Sequence, residues 1–112
     1  MGLTNEPPDL LPGTLDLLIL RSLLRGAIHG YGIAQHIRTH SDGVLEVGES
    51  SLYPALQRLE EKGWVDSEWR ATDQNRRAKY YELTAAGRKQ LREKEATWDE
   101  MTGAVAAILK SS

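Results

Sequence analysis

Cysteine is absent from the 112 residues, which rules out disulfides, thiolate metal sites and cysteine nucleophiles and suits a reducing cytosol. Long apolar runs are missing too. The most apolar segment, Leu15–Leu24, is interrupted by Asp16 and Arg21, and it is too short to span a bilayer. No stretch has the build of a signal peptide. A soluble, cytoplasmic protein without a membrane partner is expected. Nor is there an excess of basic charge, since the formal net charge is −2. The total therefore gives no sign of a polyanionic partner, and only the local distribution of charge can. Catalytic patterns are also lacking. No nucleophile stands with a base in a recognisable arrangement, no glycine loop is built to cradle phosphate, and no paired carboxylates suggest acid–base work. An enzyme is not expected, and no cofactor is implied.

What is present is a run of short, well-punctuated elements. The length argues for one domain, with room for a docking extension. Residues 1–9 are polar, contain the pair Pro7-Pro8, and read as a disordered tail. A first helix is expected from Thr14, as N-cap, to about Arg25. Its leucines and isoleucine lie nearly all round, so it needs cover on two sides, and a partner subunit is the natural second cover. A second helix is expected from Tyr31 to about Thr39, and Val44–Val47 reads as a short strand. The stretch SSLYPALQRLEEKG follows. Leu52, Ala55, Leu56 and Leu59 form a stripe at i, i+3, i+4, i+7, predicting a helix over 51–62 that Gly63 stops. With Ser51 as N-cap, Pro54 falls at the third helical position, where its missing N–H costs no bond. Trp64–Arg70 and Ala78–Leu83 alternate as strands around the turn residues Asp73-Gln74-Asn75, and Thr84 caps a last helix to about Lys110.

Three helices followed by a hairpin make a mainly α (α+β) winged helix-turn-helix. Residues 10–83 are its reading head, 51–62 its recognition helix and 64–83 its wing; 84–110 form a long C-terminal dimerisation helix. In that arrangement the leucine stripe docks inward, and Ser50, Ser51, Tyr53, Pro54, Gln57 and Arg58 are offered to the DNA major groove, which admits one helix. The segment Gln74–Lys79 carries Arg76, Arg77 and Lys79 and no anion. Those three cations are expected on the phosphate backbone, while Asp73 at the wing tip is expected to stay off it.

Three stretches, HGYGIAQHI, SLYPALQRLEEKGWV and NRRAKYYELTAAGRKQL, in this order and spacing over Leu11–Leu91, resemble the PadR family of bacterial transcriptional regulators. The resemblance implies a homodimeric winged-helix repressor that acts on double-stranded DNA at a pseudo-palindromic operator. It also implies DNA contacts from the recognition helix and wing, and pairing through the C-terminal helix and usually the first. The single helix after the wing is similar to that of the smaller subfamily.

Leu91, Trp98 and Val105 recur every seven residues, with Met101 and Ile108 at alternate seam positions, as in a short coiled coil. With Leu17, Leu20 and Leu24 of the first helix they are the expected dimer interface. Trp98 reads first as a packed interface tryptophan. The resemblance adds a second role, because some short members stack a flat aromatic effector on a paired interface aromatic. His29, His36 and His40 read as a solvent-facing cluster rather than a metal site. A protein-interaction module without operator recognition is the alternative function.

Overall fold

Gly13 adopts a left-handed backbone (φ 84°) and turns the chain into α1, Thr14–Ser22. The computed structural model describes Leu10 and residues 13–112, so the tail expected over residues 1–9 lies outside the described residues. Glycine, not Thr14, occupies the cap position, and Thr14 is a buried first-turn residue. α1 stops three residues earlier than the sequence suggests. Leu23 and Leu24 close tight turns onto Leu20 and Arg21, and Gly26 carries the chain out.

A two-residue strand, β1 (Ile28–His29), follows, and His29 caps α2 (Gly30–His40) by accepting the Gly32 N–H at Nδ1, 3.0 Å away. α2 ends in a doubly bonded turn. Gly43 N–H reaches the Arg38 carbonyl and Asp42 N–H the Thr39 carbonyl, with Asp42 left-handed at φ 54°. The strand expected at Val44–Val47 is a loop instead. Ser41 Oγ accepts the Leu45 N–H (3.0 Å), Leu45 and Val47 pack on the core, and the third strand, paired with Arg77–Leu83 of the hairpin, is β1 instead.

α3 runs Glu49–Glu61 from an uncapped start at Gly48, two residues before the expected first turn. Gly63 (φ 77°) ends it with the same pair of C-terminal bonds. Pro54 is therefore the sixth helical residue rather than the third, and its missing N–H leaves the Ser50 carbonyl without a helical partner. Ser50 is exposed, so water can take that place. β2 (Val65–Ala71) and β3 (Arg77–Leu83) form the hairpin, in register from Val65 opposite Leu83 to Ala71 opposite Arg77. Its loop is closed by Thr72 N–H to the Arg76 carbonyl, with Asn75 left-handed at φ 59°. The sheet order is β1-β3-β2, all antiparallel.

α4, Ala85–Lys110, is capped as expected. Thr84 Oγ1 accepts the Gly87 N–H (3.0 Å) and donates to the Gly63 carbonyl (2.7 Å), which joins the helix start to the end of α3. One core holds these parts together. It is built from Ile19, Leu20 and Leu23 of α1 and its exit, Ile33 and Ile37 of α2, the Leu52/Ala55/Leu56/Leu59 stripe of α3, Val65, Tyr81 and Leu91. That stripe is the one read from the sequence. Its burial fixes which side of α3 faces out.

Candidate nucleic-acid interface

The outward side of α3 presents Ser50, Ser51, Tyr53, Pro54, Gln57 and Arg58, all exposed. Ser50 and Ser51 lie in the first turn, where backbone N–H groups without helical acceptors give the helix end a partial positive charge. Tyr53 is only half free. Its ring covers Gly30 at the start of α2 so closely that a Cβ there would stand 2.8 Å from Tyr53 Cε1. Gly30 thus permits α2 and α3 to meet, and Tyr53 packs its hydroxyl end there while 44% of the residue stays exposed.

The cations differ in how far they are already engaged. Arg58 Nη2 donates to Asp16 Oδ1 of α1 at 3.1 Å. Lys79 is half-buried, 3.4 Å from Glu60 Oε1, and the other oxygen of Glu60 accepts the Ser67 hydroxyl at 2.6 Å. These bonds clamp the wing to the end of α3. Tyr81 sits in the same clamp, where burial, then Glu60 and Tyr53, raise its phenol above 10.0. Arg70, also on the wing, is paired with Glu68. Arg77 lies over the exposed Trp69 ring, 5.8 Å from its centroid. Arg76 is exposed at the foot of the wing loop and is in no ion pair among the described residues. Of the three cations read from QNRRAK, two are thus free to meet an anion and one is held by a carboxylate.

Sequence reading missed one wall of this surface. Tyr31 and Gln35, one turn apart on α2, are exposed, and Gln35 Nε2 donates to the Tyr31 hydroxyl at 3.1 Å. They face the wing across an open cleft of about 410 Å³ that also takes in His29, Arg76, Arg77 and Tyr80. The His29 ring meets Tyr80 edge-on at 5.3 Å. The signal was present in the sequence. Tyr31 and Gln35 are offset from the buried Ile33 and Ile37 by the spacing that puts them on the opposite face of a helix.

Helices docked on a small core and followed by a β-hairpin are the architecture expected from the sequence. The family model of the PadR-like transcriptional regulators matches residues 19–93. The chain belongs to that family. It is 34% identical over 85 residues to Transcriptional regulator Rv3488 of Mycobacterium tuberculosis, covering 76% of each. Among solved structures it is similar to a transcriptional regulator from Clostridium thermocellum, with a TM-score of 0.79 and 31% identity over 88% of this chain and 95% of that one. It is also similar to a PadR family transcription regulator from Clostridium difficile R20291, with a TM-score of 0.76 and 30% identity over 87% and 99%. PadR-like proteins are DNA-binding transcriptional regulators and not enzymes.

In this PadR-like chain the remaining expected site residues divide between the core and one long face. Leu20 and Leu91, read as interface residues, are almost fully buried within the single chain (0% and 2% exposed) and have no surface to give a partner. Both belong to the core. Leu17 and Leu24 are partly buried beside that core. Past Trp98, α4 leaves the domain, and Met101, Val105 and Ile108 stand on its exposed face. Leu109, which the sequence reading passed over, is the most exposed of the large apolar side chains among the described residues, at 79%. Trp98 and Met101, with Leu17 and Thr14 of α1, line a groove of about 350 Å³. The histidines do not share one role. His29 is a helix cap, whereas His36 and His40 stack with ring centroids 4.1 Å apart. No helix among the described residues is long and apolar enough to cross a membrane.

Proposed function

We propose that this PadR-like regulator is a homodimeric, cytoplasmic repressor that binds a pseudo-palindromic operator and is released by an effector. The observation that carries the reading is the exposed Ser50/Ser51/Tyr53/Gln57 face of α3 lying beside a wing whose Arg76 and Arg77 are free. The helix enters the major groove, where Gln57 can make a bidentate contact to adenine and Tyr53 can touch a thymine methyl or a phosphate. Ser50, Ser51 and the open N–H groups of the first turn take phosphate oxygens. Arg76 and Arg77, with Tyr31 and Gln35 across the cleft, follow the backbone. Lys79 joins them only by giving up Glu60.

Dimer formation is supported by α4. At 1.5 Å per residue its 26 residues reach about 39 Å, and its last turns carry Val105, Ile108 and Leu109 far from the domain's own core. A second copy crossing there covers them and sets the distance between two reading heads, about one helical turn of DNA apart. The groove between α1 and α4 at Trp98 is where a flat aromatic effector would alter that crossing. Occupancy and repression are linked only through differential affinity for the two arrangements.

The test is fluorescence anisotropy of the purified protein on a labelled fragment from upstream of its own gene, with random DNA as competitor. Selective binding that weakens as salt rises supports the reading. Alanine at both Arg76 and Arg77 is expected to reduce the slope of log affinity against log salt by about 4 for a dimer, at roughly 0.9 per lost phosphate contact. An unchanged slope moves the wing off the DNA. The chain's acidic balance and the engagement of Arg58, Arg70 and Lys79 with carboxylates favour one rival, a winged-helix module that binds protein. Absence of binding at low salt selects that rival.

A further inference from the structure

We infer that Arg58 is not a reader of DNA but a positioning residue, and that with Asp16 it fixes the angle at which α3 presents Tyr53 and Gln57. The inference rests on the proposal that α3 reads DNA. By type and helical position Arg58 resembles a guanine-binding arginine. Its geometry says otherwise. The guanidinium is turned toward α1 and donates to Asp16 Oδ1 at 3.1 Å, 42 residues away in sequence. The Asp16 side chain is only 12% exposed, whereas that of Arg58 is 52% exposed. Asp16 lies in the first turn of α1, where the helix end favours an anion. Arg58 is nevertheless its only ion-pair partner among the described residues.

Swinging Arg58 out to a base would strand a largely buried carboxylate, and leaving one member of such a pair unpaired is strongly unfavourable. The bond also fills a mechanical gap. The leucine stripe of α3 resists its leaving the core, but apolar contacts are non-directional and do little to stop a helix rolling about its own axis. A charged bond between the outward edge of α3 and a second helix opposes that roll. Asp16 lies between Thr14 and Leu17, two residues that line the α1–α4 groove. α3 is therefore tied to α1, one wall of the groove that Trp98 also lines. Sequence reading is left to Gln57, Tyr53 and the first turn.

The two roles predict opposite signs. If Arg58 read DNA, Asp16→Asn would remove a competing anion, and operator affinity would rise or stay level. If Arg58 positions α3, Asp16→Asn weakens operator binding although Asp16 touches no DNA. We expect a loss of about fivefold in Asp16→Asn and in Arg58→Met, within the range measured for residues of one ion-pair network. The double variant should be no weaker than either single. The salt slope should stay at the wild-type value, since no phosphate contact is removed.

The experiment is anisotropy of full-length wild type, both singles and the double on operator DNA across salt, with circular dichroism melts to show that each is folded. Tighter or unchanged binding by Asp16→Asn overturns the inference. So does a fall in slope of about 2 in Arg58→Met, one phosphate contact from each subunit of a dimer. Should Arg58→Met fail to fold, Asp16→Asn decides by its sign, because asparagine keeps the shape and an acceptor for Arg58. Failure of the wild-type protein to select operator over random DNA is a different result. It overturns the DNA reading and this assignment with it.

Discussion

Gly87 stands in the first turn of α4 with the Trp64 carbonyl directly against its α-carbon, so that a Cβ would occupy the same space as that oxygen. The neighbour is backbone, held by Thr84 N–H at 3.1 Å, and cannot swing aside as a side chain could. Gly87→Ala is therefore expected to cost about 3 kcal/mol, the upper end for overpacking, seen as a lower midpoint in urea with an unchanged slope. Gly30 meets a softer neighbour, the Tyr53 ring, and alanine there should move the tyrosine more than it destabilises the fold. At this scale residue types were legible in the sequence and their partners were not. Arg58 and Lys79 look alike as exposed cations in a helix and a strand. Only three-dimensional proximity to Asp16 and Glu60 separates them from Arg76 and Arg77.

Among the elements, α2 shows how one helix divides its faces. Ile33 and Ile37 enter the core, Tyr31 and Gln35 face the wing, and His36 stacks on His40. His36 titrates below its usual 6.5 because burial, then the positive charge of His40, Arg25 and Arg21, disfavours its cation. The folded chain thus binds the proton less well than the unfolded chain. The stability this contributes is complete above 6.5 and is lost as pH falls through the lower folded value. Thermal melts between about pH 7.5 and 5.5 should show a falling midpoint, with a shallower fall in His36→Gln. An identical fall in that variant would remove His36 from the account. The long elements were readable from periodicity and capping residues, down to Thr84 and Gly63. The two errors of type share one cause. β1 is two residues long and Val44–Val47 only four, and runs that short carry too little pattern to tell strand from loop.

For the whole molecule, the unfinished part is α4. The domain covers its first half, through Leu91 in the core and the Arg21–Glu95 pair, and leaves Val105, Ile108 and Leu109 in water. On the proposed homodimer, glutamate at both Val105 and Ile108 is expected to shift the protein from dimer to monomer in sedimentation velocity, with far-UV helicity nearly retained. Operator affinity should then fall by more than tenfold, as the two half-sites lose their linkage. A dimer that survives both charges would place the interface elsewhere.

Composition, periodicity and turn chemistry were enough to specify a winged helix, its core stripe and the outward face of α3, because those follow from local propensity and from which residues avoid water. The family motifs lay in the same local patterns. Only tertiary structure decided where α3 begins, and hence that Pro54 interrupts its bonding. It also showed that Leu20 and Leu91 are interior residues, that Tyr31 and Gln35 adjoin the wing, and that Arg58 is held by α1. Apart from the start of α3, which is set by local backbone bonds to Gly48, each of these depends on a distance between segments far apart in the chain, and a side-chain pattern read along one segment carries no such distance.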